Sequence, residues 1–257
     1  MNLETINSEN IIPLTIIISL TVFFRYVLVS GGFYVVFYIL GKKRFERRKI
    51  SEQLRTKGQS WKEIGWSALT SAIFGVFGVA MLYCWQAGYM AIYEDWGAYG
   101  YWYLPVSFLL VLLIQETYYY WLHRWMHRPK VYRRIHKVHH DSIVTSPWTA
   151  FSFHPIESLL QAVFVPALAF ILPLHIGVVL ILLTLMTISA TINHLDIEIY
   201  PKGFESHWLG KWLVGATHHS LHHSKFLFNY GLYFTFWDKW MDTESPLFVD
   251  MFREKTN

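Results

Sequence analysis

Apolar and polar residues fall along this chain in long blocks. The first apolar block, residues 11–40, is interrupted only by Arg25 and the Gly31-Gly32 pair. A second covers about 66–93 and a third about 101–122. Each is long enough to cross a bilayer as one helix, which takes about 20 apolar residues. The fourth, residues 156–192, is too long for one crossing and carries Pro166, Pro173 and Gly177. It predicts a helical hairpin that turns near Pro173-Leu174-His175. Arms of roughly 17 residues are short for spanning, so a re-entrant pair stays open.

Composition supports the membrane reading. Charged residues make up 16% of the chain, against about 25% in a soluble domain. Aromatic residues reach 18%, as expected where Trp and Tyr line the interfaces. Acidic residues precede the first block and no small-residue cleavage site follows it, so it reads as a retained span rather than a signal peptide. The net charge of +4 is no nucleic-acid signature, because the basic residues flank apolar blocks. Residues 41–63 hold nine Lys or Arg against three Glu, and residues 124–137 hold six basic residues and no acidic one. Between the second and third blocks the connection carries only Glu94 and Asp95. The positive-inside rule puts the basic segments in the cytoplasm and the acidic turn outside. The expected fold class is an all-α polytopic membrane protein with about four transmembrane helices and a cytoplasmic helical cap. A single domain, 1–257, is expected: three N-terminal spans within 1–122, then 123–257 with the hairpin 156–192.

Histidines supply the chemistry. They cluster as His123 and His127 (HxxxH), His136, His139 and His140 (HxxHH), and His218, His219, His222 and His223, which contains a second HxxHH. Residues three and four apart share a helix face, so each cluster can aim several imidazoles at one point. Nitrogen-rich ligand sets suit iron, copper or zinc. Cys84 is the single cysteine, which excludes a multi-cysteine metal site. The predicted topology brings all these clusters, with His194, to the cytoplasmic side.

In this order and spacing the clusters resemble the sterol desaturase/fatty acid hydroxylase superfamily of membrane non-haem di-iron enzymes. Three further segments carry the likeness. Ala150-Phe-Ser-Phe-His154-Pro-Ile-Glu157 is similar to the family's FxxHPxE/D element. Thr187-Ile-Ser followed by Asn193-His194 is similar to the segment with an isolated ligand histidine. Asn229-Tyr-Gly-Leu-Tyr-Phe-Thr-Phe-Trp237-Asp238-Lys239 is similar to the ending of the sterol C5-desaturase branch. The likeness runs from about residue 118 to 243. It implies a di-metal cap with ligands His123, His127, His136, His139, His140, His194, His219, His222 and His223. His218 either binds metal in place of His219 or supports it. The implied cofactors are two iron ions, with zinc able to take their place in a purified sample, and O2 as co-substrate. The implied reaction is hydroxylation or desaturation of a lipid C–H bond; the sequence does not decide between the two. The expected partners are the bilayer, a lipid substrate and a separate electron-transfer protein, cytochrome b5-like or ferredoxin-like, since no His-Pro-Gly-Gly haem element occurs. Some fatty acid hydroxylases carry a further histidine four residues after His194; Glu198 stands there instead.

Other polar residues have two readings each. Glu116 lies inside the third block on the stripe of His123, either as a functional carboxylate or as the ion-pair partner of Arg25. His154 either lines the site or is a structural histidine at the hairpin's start. Asp141 is a candidate to orient a ligand imidazole, as are Glu157, Asp196 and Asp238. The rival functional classes are a zinc-dependent lipid hydrolase and a non-catalytic, histidine-rich membrane metal-binding protein. Nine histidines exceed what a zinc site needs, and transport sites lie nearer the midplane. A short chain without an obvious ER-retrieval signal points to a bacterial inner membrane, or to the ER membrane if the source is eukaryotic.

Overall fold

Helix α1 (Ile11–Leu40) is apolar on every side. In a computed structural model, which describes residues 5–257, only 6% of its most apolar window is buried. Ile12, Ile16, Leu20, Phe24 and Leu28 recur every four residues and are all exposed, forming a continuous apolar stripe along one face. Water would not leave such a stripe bare. α2 (Gln59–Gln86) and α6 (Ile176–Asn193) are the other two helices long and apolar enough to cross a membrane. Between them, α3 (Tyr103–Met126), intermediate in length at 24 residues, carries Gln115, Glu116, His123 and Arg124. α1 packs on α2 through small residues: a Cβ on Gly75 would come within 2.8 Å of the Ser19 Cα. Glycine there lets the two backbones approach, a common device between helices in lipid.

The hairpin turns where the sequence predicts. Its first arm is broken into α4 (Pro155–Ala162) and α5 (Phe164–Ala169), and α6 is the second. The turn forms a short strand β2 (Leu174–His175) that pairs in parallel with β1 (Ile92–Tyr93). His175 is fixed there by a contact of 2.8 Å between its Nε2 and the Glu94 carbonyl. The hairpin tip therefore meets the acidic connection, at the end of the helices remote from the histidine clusters.

One boundary differs from expectation. α2 begins seven residues before Trp66 and ends at Gln86, not at Tyr93. Gly88 turns the chain at a φ of 76°, and Met90 and Ile92 are buried with Ala169 beneath the hairpin tip. Their apolarity serves the core, not lipid. The main core joins Val111 and Leu112 of α3, Phe164 and Val165 of α5, and Leu182 of α6. It clamps the helices whose ends present the histidines. Beyond them, α7 (Ala216–Lys225) and α8 (Phe248–Thr256) close the polar end.

Candidate metal centre

Nine imidazoles converge in two adjoining groups. His123, His127, His136, His140 and His222 form one; His139, His194, His219 and His223 form the other, and within each the ligand atoms lie within 4.8 Å of one another. The helical spacing divides each box. In both HxxHH segments the i and i+4 residues share a group and the i+3 residue turns to the other: His136 and His140 against His139, His219 and His223 against His222. His123 and His127, also i and i+4, share the first group at the end of α3. His194, just past α6, completes the second. The two groups touch where the rings of His140 and His223 stack at 4.4 Å.

The nitrogen geometry fits metal ions. Nε2 to Nε2 separations are 3.2 Å for His123–His136, 3.1 Å for His127–His222 and 3.1 Å for His140–His222. In the second group they are 3.1 Å for His139–His194 and 2.9 Å for His194–His219. An ion held by imidazole at about 2.1 Å spaces neighbouring ligand nitrogens about 3.0 Å apart in an octahedron and about 3.4 Å in a tetrahedron.

Proton placement points the same way. The Nδ1–H of His123 donates to the Tyr230 carbonyl (2.9 Å), of His136 to Glu157 Oε1 (3.0 Å), and of His139 to the Ser152 carbonyl (3.3 Å). His194 donates likewise to the Ala190 carbonyl (2.7 Å) and His222 to the Phe228 carbonyl (2.7 Å). With Nδ1 carrying the proton, each Nε2 presents a lone pair inward. Lone pairs facing one another at 3 Å repel unless a ring takes a second proton, and burial opposes that. Burial and the neighbouring imidazoles hold His136, His139, His140, His219, His222 and His223 well below the usual 6.5; burial and His123 bring His127 to about 2. A bound cation satisfies what protonation does not.

The loop after α7 holds two of these acceptors in place. Asp238 accepts from the Tyr230 N–H (2.9 Å) and the Gly231 N–H (2.8 Å). Glu116 accepts from the N–H groups of Leu232 (3.0 Å), Tyr233 (2.6 Å) and Phe234 (3.1 Å). A Cβ on Gly231 would press on the Phe234 carbonyl and on Asp238 Oδ2, so the crowded loop needs glycine there. Asn229, at a φ of 58°, donates to the His218 carbonyl and accepts from the Ser245 N–H. These bonds give Asn229, Gly231 and Asp238 of this segment a physical reason: they aim the carbonyls of Phe228 and Tyr230 at His222 and His123.

A model of the family described as "Fatty acid hydroxylase" matches residues 108–243, more than half the chain. The chain belongs to the fatty acid hydroxylase family. Among its curated relatives is a Delta(7)-sterol 5(6)-desaturase of Gibberella zeae, 29% identical over 79% of this chain and 62% of that protein. The lathosterol oxidase of Homo sapiens is 34% identical over 71% of this chain and 60% of the human enzyme. A Delta(7)-sterol 5(6)-desaturase of Aspergillus fumigatus is 34% identical over 59% and 52%. The chain thus spans little more than half the length of these relatives. No solved structure matches it. All nine converging histidines lie inside the matched region of the family.

Four residues singled out in the sequence stand elsewhere. His218 belongs to neither group. One residue from His219, it faces another side of α7, stacks on Phe248 at 3.6 Å and points Nε2 towards Glu244. Asp141 is tied to Lys62 and Lys137 at the surface and orients no ligand. His154 caps α4, its Nδ1 accepting from the Ile156 N–H. Glu116 is paired neither with Arg25 nor with a histidine; it anchors the loop. Of the other carboxylates, Glu157 holds His136, Asp238 acts through Tyr230, Asp196 accepts from Ser51, and Glu198 caps α7 by accepting from Thr217. Burial raises Asp196 to about 6 despite its Ser51 partner.

Glu63 escaped the sequence reading. Buried at 2% exposure, it accepts from Arg55, Gln59, Ser142 and Thr149 and so ties α2 to the loop after the second box. Nothing local separates it from the other two glutamates of its basic segment, because two of its partners come 79 and 86 residues later.

Glu157 offers a direct test of how the ligands are held. Glu157→Ala leaves His136 Nδ1 with no acceptor. Metal affinity of the five-histidine group is expected to fall roughly 10- to 100-fold, measured by competition with a chromophoric chelator. Unchanged affinity in both groups would remove Glu157 from the site.

A cavity opens onto the second group. His194 and His219 line one end; Phe151, Phe164, Leu183 and Met186 are among its walls. A second cavity shares Leu183 and Met186 and continues among Ile18, Val22 and Val165. This apolar space lies between the helices and leads to the histidines.

Proposed function

We propose that this chain is a membrane di-iron oxygenase that hydroxylates or desaturates a lipid, using O2 and electrons from a separate redox protein. One observation carries the reading: nine histidine nitrogens in groups of five and four, the second of which borders an apolar cavity through His194 and His219. A zinc hydrolase needs three or four ligands, and the nine histidines here are more than twice that. Five and four nitrogens leave room on six-coordinate ions for another ligand, as an oxygenase requires. Iron bound there supplies O2 activation and hydrogen abstraction from an unactivated C–H bond.

The chain's own residues do the rest. The cavity walls exclude water and hold the lipid so that one carbon stands at His194 and His219. The carbonyls at Tyr230, Phe228, Ser152 and Ala190, with Glu157, hold the Nδ1 protons of five imidazoles and aim their Nε2 atoms inward. The relatives named above act on sterols by their names, which favours a sterol-like substrate and desaturation. α1, α2, α3 and the hairpin are read as one membrane-embedded domain with about four crossings. The basic segments at 41–63 and 124–137 put the histidine end in the cytoplasm. α4 and α5 together cover only 15 residues, about 22 Å of rise, so the first hairpin arm reaches across only part of a bilayer.

The test is lipid analysis of cells expressing the chain beside cells expressing a His139→Ala/His222→Ala variant. The expected result is a lipid gaining one oxygen or losing two hydrogens in the first strain alone. Identical lipid profiles, with both proteins present in the membrane and iron bound by the first, would overturn the proposal.

A further inference from the structure

Arg25 sits at the middle of α1 and lines both cavities. Its side chain has no hydrogen bond or ion pair among the described residues, and its Nε is buried without a partner. An arginine at such depth is costly and is normally paired or in contact with a bound group. No carboxylate forms an ion pair with it among the described residues. Glu116 accepts from three backbone N–H groups, Glu63 pairs with Arg55, and Glu157 meets His136 and Gln161 through Oε1, with Oε2 buried and unpartnered. The guanidinium therefore faces the cavity as an unused donor with a full charge.

Its position sets a length. Leu183 and Met186 of α6 line both cavities alongside Arg25, whereas His194 lines only the first. His194 follows those residues by 11 and 8 positions, roughly 12–17 Å along the helix axis. The wall between is mostly apolar, with Thr187 and Asn193 among its polar members.

We propose that Arg25 binds the anionic group of an amphiphilic lipid substrate whose apolar body fills the cavity towards His194 and His219. The inference rests on the lipid-oxygenase reading and replaces the neutral sterol that the relatives' names favour with an amphiphile that carries an anionic group. The lipid carries a carboxylate or phosphate roughly 12–17 Å from the carbon that reacts. Arginine suits this role because its planar fork pairs with either anion through two parallel hydrogen bonds. A neutral sterol would instead leave its hydrocarbon tail against an unpaired charge.

The experiment measures binding to the detergent-purified, metal-loaded protein by intrinsic tryptophan fluorescence. The probes are oleic acid, methyl oleate and oleyl alcohol, with dioleoylphosphatidic acid in nanodiscs as the phosphate arm. Wild type is expected to bind oleic acid or the phosphatidic acid about tenfold or more tighter than the ester and the alcohol. Whichever anion binds tighter identifies the source. Arg25→Gln should abolish the preference, and Arg25→Lys should keep part of it. Equal binding of acid, ester, alcohol and phosphatidic acid by wild type would overturn the proposal, as would a preference that survives in Arg25→Gln. Metal content is measured on the same samples. A full metal complement without anion preference would refute the role of Arg25 alone, whereas absent metal would strike at the oxygenase reading.

Discussion

Replacing His139 and His194 together by alanine is expected to remove one metal ion from the chain and leave the other. His139 lies between His136 and His140 in sequence, yet its Nε2 meets that of His194 at 3.1 Å, in the four-histidine group. The double variant reduces that group to His219 and His223. Two imidazoles fall short of the three or four ligands that hold an ion tightly. The five-histidine group keeps every member. The converse variant, His127→Ala/His140→Ala/His222→Ala, reduces that group to His123 and His136 and spares the second. Each variant should retain about half of the wild-type metal by elemental analysis, and neither should oxidise lipid. Complete loss of metal from both variants would mean that the groups do not load independently. Full retention in either would mean that its histidines are not ligands.

Glu116→Gln is expected to destabilise the protein and loosen one metal group without touching a metal. The carboxylate accepts three backbone N–H groups from residues 232–234 in a fully buried position. A glutamine oxygen in the place of Oε2 keeps Tyr233 and Phe234, while the amide donor turns towards the Leu232 N–H. A buried donor left unsatisfied costs about 1–3 kcal/mol, so a loss of that order is expected. The freed loop also carries Tyr230, whose carbonyl fixes His123. Thermal unfolding of the metal-loaded protein should therefore shift to lower temperature, and affinity should fall at the five-histidine group while the four-histidine group keeps its ion. Wild-type stability and loading, with activity alone lost, would instead make Glu116 a participant in the reaction.

How far these features could be read from the sequence depended on the range of the contacts. The histidine boxes were legible because ligands at i, i+3 and i+4 need only a helical turn to converge. Their division into five and four was not, since it follows from how α3, α6 and α7 meet. The hairpin turn at Pro173 was legible from local breakers, whereas the end of α2 was obscured by Met90 and Ile92, apolar residues that serve the core. Glu116 was recognised as unusual because a carboxylate stood in an apolar block. Its partners, 116 to 118 residues away, were beyond any local pattern. Asp141 misled for the opposite reason: it follows a histidine box directly, but Lys62 and Lys137 claim it.

Metal content and the Mössbauer spectrum of the detergent-purified protein, expressed in iron-57 medium, test the central claim most directly. The account predicts about two iron ions per chain in two nitrogen-ligand environments, one from the five-histidine group and one from the four-histidine group. Stoichiometric zinc without iron, or a single iron, would contradict it.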